Sequence, residues 1–122
     1  MDMRLNYDTD KIREQDLKHH FHPFTDFASF KSSGSMILTG AEGAYVSDSE
    51  GRRYLDGIGG LWCVNIGYGR DEMADAMAAQ ARQMVYYSSF GHHTSVPAAQ
   101  LAAKLAELAP GDLNHVFYGL GG

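Results

Sequence analysis

Residues 57–69, with the sequence GIGGLWCVNIGYG, constrain this chain more than any other segment. Five of these residues are glycine, yet the segment also carries Trp62 and several aliphatic side chains that favour burial. Glycine permits backbone conformations that other residues avoid, whereas a solvated linker rarely contains so many apolar side chains. The combination predicts a backbone that lies close to a ligand or to another chain.

The composition excludes several classes of function. The 122 residues are 44% hydrophobic and carry a formal net charge of -5, which is enough for one modest core. The sequence contains no cluster of like charges, so neither nucleic acid nor a membrane is an expected partner. Cys63 is the single cysteine and cannot form an internal disulfide. Residues 1–21 are too charged for a signal peptide, and no apolar run approaches the ~20 residues of a membrane span. We therefore expect a soluble, cytoplasmic protein.

Three helices are predicted from capping residues and apolar spacing. Thr9 is the expected cap of a helix from Asp10 to about Lys18. Asp71 is the expected cap of a helix to about Val85, whose apolar positions form a stripe for the core. The third helix has Ser95 as its expected cap and Pro97 in its first turn, and it ends at Leu108.

Short β-rich runs at residues 36–39, 44–47 and 53–56 are separated by turns that contain glycine and aspartate. This pattern predicts a small antiparallel meander. Residues 19–35 fit neither the helical nor the strand period, and we interpret them as an irregular segment. Residues 114–118 are strand-like and precede the glycine-rich residues 119–122. A strand and a glycine-rich turn, when a helix follows, can hold a phosphate.

Four segments, in this order, resemble the class III or omega-type aminotransferases. Residues 22–25 read HPFT, residues 43–51 read GAYVSDSEG, and residues 115–118 read HVFY. The most specific segment runs from Leu55 to Gly69, where the sequence is similar to the pattern DGxxGLWCVNxGYG of the omega-amine:pyruvate and β-alanine:pyruvate type enzymes. These segments span most of the chain.

The resemblance implies an enzyme in which pyridoxal phosphate forms a Schiff base with a lysine. An amino group would pass from an amine or omega-amino acid to pyruvate or a similar keto acid. The resemblance also implies a homodimer, in which the loop with Phe90 reaches the active site across the interface. Gly121 and Gly122 would begin the turn that binds the cofactor phosphate. The substrate-contacting residues implied in this way are Phe24, Leu61, Trp62 and Phe90.

The expected architecture is an α+β segment of a fold type I pyridoxal-phosphate-dependent transferase. It consists of an N-terminal helix, a small antiparallel meander, two helices and the first strand of the large α/β domain. Residues 1–60 are expected to form the N-terminal part of the small domain. Residues 61–122 are expected to form the pocket loop, helices and first strand that lead into the large cofactor-binding domain.

Two alternatives to an active aminotransferase remain open. One is a related aminomutase or decarboxylating enzyme that uses pyridoxal phosphate. The other is an inactive fragment that acts in dimerisation or packing. No lysine of the chain lies in a context that resembles the Schiff-base lysine of the family, so we expect no catalytic residue here and no activity from the chain alone. The four lysines are Lys11, Lys18, Lys31 and Lys104.

The remaining reactive side chains have structural interpretations. We expect the six histidines to serve in packing rather than in metal binding, because adjacent histidines on regular elements point in different directions. Cys63 has apolar neighbours and no identifiable base, so we expect it to be a small buried hydrophobic residue.

Overall fold

A computed structural model describes residues 7–119 of the chain. Contacts divide the chain into two compact units, with the boundary between Asp71 and Glu72. None of the helices in residues 7–119 combines the length and the apolarity that a membrane span requires. The elements are α1 Thr9–His19, α2 Phe27–Ser33, β1 Leu38–Glu42, β2 Tyr45–Asp48, β3 Arg53–Leu55, α3 Gly59–Trp62, α4 Asp71–Gln83 and α5 Val96–Leu108.

The three strands form one antiparallel sheet with the order β1-β2-β3, which confirms the predicted meander. In the register, Ala41 lies opposite Val46, and Val46 lies opposite Tyr54. Strand β1 begins at Leu38, two residues later than predicted, and its register shifts between Leu38 and Gly40. Such a bulge bends the strand. All three strands are consecutive in the chain, so the sheet is built from local contacts alone.

The turn between β2 and β3 is organised by Asp48, which is 4% exposed and is the only buried residue among residues 7–119. Its Oδ1 accepts hydrogen bonds from the backbone N–H groups of Glu50 (3.0 Å) and Arg52 (2.9 Å). Its Oδ2 accepts from Arg52 Nε (2.7 Å) and from the Tyr54 hydroxyl (2.9 Å). Burial raises the pKa of this carboxyl, but the bonds from Arg52, Tyr54 and Glu50 outweigh burial and lower the pKa from 3.8 to about 2.

We expect the stability of the first unit to fall in acid because of Asp48. Its pKa in the folded protein lies below 3.8, so its contribution is complete above about pH 4 and is lost as the pH falls through about 2. Urea midpoints measured across this window should decrease. Asp48→Asn should lower the midpoint near pH 7 and make the dependence below about pH 4 shallower. If the urea midpoints of wild type and Asp48→Asn fell equally steeply with decreasing pH, this assignment would be contradicted. The control is Asp112→Asn in the second unit.

Helix α1 begins one residue earlier than predicted, and the cap is Asp8 instead of Thr9. The Asp8 carboxylate accepts a hydrogen bond from the backbone N–H of Lys11 at 3.0 Å, so it satisfies a donor that the first helical turn leaves free. Arg13 attaches this helix to the sheet. Its Nε donates to the carbonyl of Ser35 at 3.1 Å, and its guanidinium pairs with Glu50.

The interpretation of residues 19–35 as irregular was wrong in part, because residues Phe27–Ser33 form helix α2. Asp26 caps this helix by accepting a hydrogen bond from the backbone N–H of Ala28 at 3.0 Å. The helix ends at Gly34, which adopts a φ of 69°. The aromatic residues in this stretch obscured the capping residue and the terminating glycine of a helix that is only two turns long.

The second unit contains α5 and, apart from Asp71, α4. Ser95 caps α5 through a hydrogen bond from the backbone N–H of Ala98, as predicted. Asp71 lies within α4 rather than before it, and α4 ends at Gln83, short of Val85. The predicted strand at residues 114–118 is not formed in the described part of the chain. A strand needs a neighbouring strand, and this segment instead contacts α5, where the Tyr118 hydroxyl donates to the carbonyl of Ala98 at 2.6 Å.

No hydrophobic side chain is buried among residues 7–119. The apolar stripe of α4, predicted to be core, is exposed by 46% at Met73 and 64% at Met77. Cys63 was expected to be buried and is also exposed. The described residues contain nothing that covers these side chains. The sequence pattern therefore identified the apolar faces correctly. The prediction that these faces are buried was wrong for the described residues.

Candidate functional site

Helix α3 is a single left-handed turn at the centre of the glycine-rich segment. The φ angles are 60° at Gly59, 59° at Gly60, 61° at Leu61 and 65° at Trp62. The ψ angles of Gly60 and Leu61, 35° and 57°, also lie in the left-handed helical region. The backbone N–H of Trp62 donates to the carbonyl of Ile58 at 3.0 Å, so the turn is closed by its own hydrogen bond.

The left-handed turn requires two large L-residues to adopt a conformation that they rarely adopt. Glycine has no Cβ and takes positive φ readily, which accounts for Gly59 and Gly60. Leu61 and Trp62 have no such freedom, and the left-handed conformation costs roughly 1–2 kcal/mol for each L-residue. Strain of this kind persists only where the surrounding structure enforces it, and it is concentrated at functional sites.

Asp56 enforces the left-handed turn from its N-terminal side. Its carboxylate accepts hydrogen bonds from the backbone N–H groups of Ile58 (3.1 Å), Gly59 (3.0 Å) and Gly60 (2.8 Å). It also accepts a hydrogen bond from the Tyr68 hydroxyl at 2.7 Å. One carboxylate therefore joins the start of the turn to a residue that follows its end.

The protonation states of Asp56 and Tyr68 suit the hydrogen bond between them. The Tyr68 hydroxyl lowers the pKa of Asp56, and the N–H groups of the turn lower it further against the effect of burial. The same hydrogen bond raises the pKa of Tyr68, as do burial and the Asp56 charge. Asp56 is therefore an ionised acceptor and Tyr68 a protonated donor near neutral pH.

The glycine-rich segment is fixed to the sheet at the turn between β1 and β2. The backbone N–H of Tyr68 donates to the carbonyl of Gly43 at 2.8 Å, and that of Gly43 donates to the carbonyl of Tyr68 at 3.1 Å. A Cβ at Gly67 would lie 3.0 Å from the same Gly43 oxygen, so glycine is needed for this approach. The sheet is thus the platform for the left-handed turn.

Leu61 and Trp62 project outward from this platform, with 68% and 82% of their surface exposed. Their backbone is fixed while their side chains are uncovered. An open cavity of about 320 Å³ lies in the same unit. Asp56, Val64 and Tyr68 are among its lining residues, and Leu61 and Trp62 are not.

Phe24 belongs to the same unit and is also strained. It lies on the segment between α1 and α2, has a φ of 53° and is fully exposed. Among residues 7–119, the non-glycine residues with positive φ are Phe24, Leu61 and Trp62. These are three of the four residues for which the sequence predicted substrate contact.

The other predicted site residues, Phe90, Gly121 and Gly122, follow the first unit in the sequence. Phe90 is in the second unit and is 89% exposed. The second unit has its own open cavity of about 430 Å³ between α5 and residues 116–118, which Phe90 does not line. Gly121 and Gly122 lie outside the residues that the structure describes.

All four lysines of the chain lie within the described residues. The lysines lie on helices α1, α2 and α5, and none lines either of the two cavities. Lys104 is paired with Glu107 at 2.9 Å on the surface of α5. Neither of the two cavities is thus lined by a lysine that could form a Schiff base.

Sequence reasoning missed Asp56 and Tyr68 as the residues that hold the site. A signal was present, because an aspartate followed by a glycine-rich turn can accept N–H groups from the residues just after it. The partnership with Tyr68 had no such signal. It spans 12 residues and depends on the approach of Gly43 to Tyr68, which is a property of the folded unit.

Comparison with known proteins gives a consistent result. The family described as "Aminotransferase class-III" matches residues 28–122. Putrescine--pyruvate aminotransferase of Pseudomonas aeruginosa is 45% identical over 100 residues, which are 82% of this chain and 22% of that enzyme. An (S)-enantioselective omega-transaminase from Thermomicrobium roseum superposes with a TM-score of 0.86 at 42% identity, covering 89% of this chain and 24% of that chain.

A third relative has been crystallised with a small molecule. The omega transaminase from Pseudomonas jessenii, in complex with PMP, is 31% identical and has a TM-score of 0.78, covering 81% of this chain and 22% of that chain. The present chain therefore spans about a quarter of the length of the proteins that it matches.

Proposed function

The chain belongs to the class-III aminotransferase family, and on that premise we propose that it forms one wall of the substrate pocket of an aminotransferase. The reaction moves an amino group from an amine or omega-amino acid to pyruvate or a similar keto acid. The names of the relatives support this choice, since one of them is a putrescine--pyruvate aminotransferase. In this proposal residues 1–60 belong to the small domain, and residues 61–122 lead into the large domain.

One observation supports the proposed wall most directly. Three of the four residues assigned to substrate contact from the sequence are the non-glycine residues with positive φ among residues 7–119. Strain in three exposed apolar residues brings no packing gain within the first unit, so its benefit must come from what they contact. A substrate with an apolar body fits that requirement, because large apolar side chains exclude water from a binding site.

Other parts of the proposal rest on the family and not on the described contacts. Pyridoxal phosphate is the proposed cofactor, and it supplies the electron sink for amino transfer. Gly121 and Gly122 are proposed to contact its phosphate. Phe90 is proposed to reach the pocket of a partner subunit in a homodimer. The family and the PMP complex of a relative support the cofactor.

The test is the substitution Leu61→Ala, with Leu108→Ala as its control. Leu61 and Leu108 are 68% and 69% exposed, so the two substitutions remove the same atoms from similar surfaces. If Leu61 contacts substrate, kcat/KM for a bulky amine relative to a small amine should change by roughly 10-fold or more. Amine-dependent conversion of pyruvate to alanine is the measurement, made on a purified protein that contains this chain together with the Schiff-base lysine of the family.

The control separates a pocket residue from a packing residue. Leu108→Ala should leave the ratio between the two amines unchanged, even if it lowers stability. The pocket assignment would be wrong if both substitutions changed the ratio equally or if neither did. Absence of alanine formation, with added pyridoxal phosphate, by a protein that contains this chain and the Schiff-base lysine of the family would contradict the proposed reaction itself.

A second candidate function is a packing or dimerisation piece without catalysis. The observation that favours it is that no hydrophobic side chain is buried among residues 7–119. An absorbance spectrum with pyridoxal phosphate, before and after borohydride, distinguishes the two candidates. A Schiff-base band that reduction converts into a permanent adduct supports the enzyme, whereas its absence supports the packing piece.

A further inference from the structure

Asp16, His20 and His22 converge at the C-terminal end of α1. One ligand atom from each residue lies within 4.8 Å of those of the other two. His20 Nδ1 is 2.9 Å from Asp16 Oδ1, and His22 Nε2 is 2.9 Å from Asp16 Oδ2. Two imidazole nitrogens therefore face the same carboxylate, and the centroids of the two rings are 4.2 Å apart.

The convergence has a local cause in the way that α1 ends. His20 lies four residues after Asp16, so both side chains share one face of the helix. The backbone N–H of His20 closes the helix by donating to the carbonyl of Asp16 at 2.9 Å. The chain then leaves the helix, and His22 returns to the same carboxylate. Its ring packs against Phe30, with 4.8 Å between the centroids.

The cluster of Asp16, His20 and His22 is covered by protein on one side and open to solvent on the other. The exposed fractions of the side chains are 15% for Asp16, 26% for His22 and 63% for His20. The carboxylate and one imidazole are thus held by protein, while the other imidazole borders solvent. An ion could enter past His20 and retain water as a further ligand.

We propose that Asp16, His20 and His22 bind a divalent transition metal ion of the zinc type. Two imidazoles and one carboxylate, completed by water, are a donor set that Zn²⁺ takes in tetrahedral geometry. Neighbouring ligand atoms in such a site lie roughly 3.3 Å apart, given metal–ligand distances of about 2.0–2.1 Å. Asp16 Oδ1 lies 2.9 Å from His20 Nδ1 and 3.1 Å from His22 Nε2, so these two separations need only a small opening, and the two nitrogens lie within 4.8 Å of each other. In this state each neutral imidazole would coordinate the metal through the nitrogen that faces the carboxylate and would carry its proton on the other ring nitrogen.

This site reverses the expectation that the histidines serve only in packing. That expectation was based on the argument that adjacent histidines in a regular element point in different directions. His20 and His22 are two residues apart and lie where the helix has ended, so the argument does not apply to them. The inference is independent of the proposed aminotransferase function, because it uses no residue of the left-handed turn or its platform.

The test is Zn²⁺ binding by the metal-free purified protein, measured by calorimetry and by metal analysis after dialysis. We expect one equivalent of Zn²⁺, and with Co²⁺ as a probe a visible absorption band of a four-coordinate site. His20→Gln should weaken binding by more than the roughly 10–100-fold loss typical of an outer-shell partner. His20 is the most exposed member of the site, so this variant should fold normally.

His19→Gln is the matched control, since it changes the same residue type one position away at the same helix end and outside the cluster. It should leave the affinity unchanged. Asp16→Asn should abolish binding, and circular dichroism must show that this variant keeps the helix content of wild type. Absence of Zn²⁺ binding would overturn the proposal, as would binding that survives His20→Gln or that is lost equally in His19→Gln.

Discussion

Replacement of Gly60 by alanine is expected to destabilise the first unit by roughly 2–4 kcal/mol, since backbone strain adds to an overlap. A Cβ at this position would lie 2.8 Å from Val64 Cγ2 and 3.1 Å from the Tyr68 hydroxyl. The φ of 59° adds strain for any residue other than glycine. Val64 is β-branched and has little freedom to rotate away. The substitution should therefore displace Tyr68 and weaken its hydrogen bond to Asp56.

Two neighbouring glycines provide the controls. Gly59 also has a positive φ, 60°, but nothing lies within 4 Å of its potential Cβ, so Gly59→Ala should show only the strain. Gly57 has neither feature, and Gly57→Ala should be nearly neutral. Trp62 is the only tryptophan of the chain, so its fluorescence during urea unfolding reports on the left-handed turn directly. If the three variants were equally stable, the left-handed geometry of the turn would be wrong.

Loss of the Asp56 carboxylate should have the largest effect on activity. In Asp56→Ala, three backbone N–H groups of the left-handed turn and the Tyr68 hydroxyl lose their common acceptor. Leu61 and Trp62 would then relax toward ordinary φ values. A displacement of about 1 Å in a positioning group can lower kcat/KM roughly 10²-fold, and we expect a loss of that order for an amine substrate. The prediction rests on the proposed function, and steady-state kinetics of the purified protein measure it.

Two further variants show whether Asp56 acts through the turn. Tyr68→Phe removes one of the four donors and should give a smaller loss in the same direction. Asp8→Ala removes a carboxylate that caps α1, and it should lower stability without changing the relative kcat/KM of different amines. A change in the fluorescence of Trp62 should accompany the loss of activity in Asp56→Ala. Wild-type activity in that variant would refute the positioning role. An inactive protein that carries no substitution and that contains both this chain and the Schiff-base lysine of the family would refute the reaction.

Much of the fold could be predicted because its signals are local. The three strands are consecutive, and Ser95 caps α5 within three residues of its partner. The same reasoning failed where structure depends on distant residues. The strand expected at residues 114–118 requires a neighbouring strand that residues 7–119 do not provide. The burial expected for Cys63 and for the α4 stripe requires a covering surface, and a sequence pattern cannot show whether one is present.

The candidate site could likewise be predicted from the sequence only in part. Leu61, Trp62 and Phe24 were predicted to contact substrate from family resemblance, whereas their positive φ angles had no signal in the sequence. Propensity argues against a left-handed conformation at leucine or tryptophan, and the hydrogen bonds that hold the turn, those accepted by Asp56 and that from Trp62 to Ile58, form only in the folded unit. The approach of two histidines to Asp16 was hidden for a related reason, because the end of α1 sets the direction of both side chains.

The left-handed turn also limits which residues evolution or laboratory selection can place at positions 61 and 62. Valine, isoleucine and threonine are strongly disfavoured at positive φ, whereas asparagine and glycine are tolerated. A change of amine preference that calls for a β-branched side chain at either position would first have to rebuild the backbone. Variation at these two positions should therefore favour side chains that are unbranched at Cβ, aromatic or amide. The handedness of the turn thus restricts the side chains available at positions 61 and 62, whichever substrate is bound.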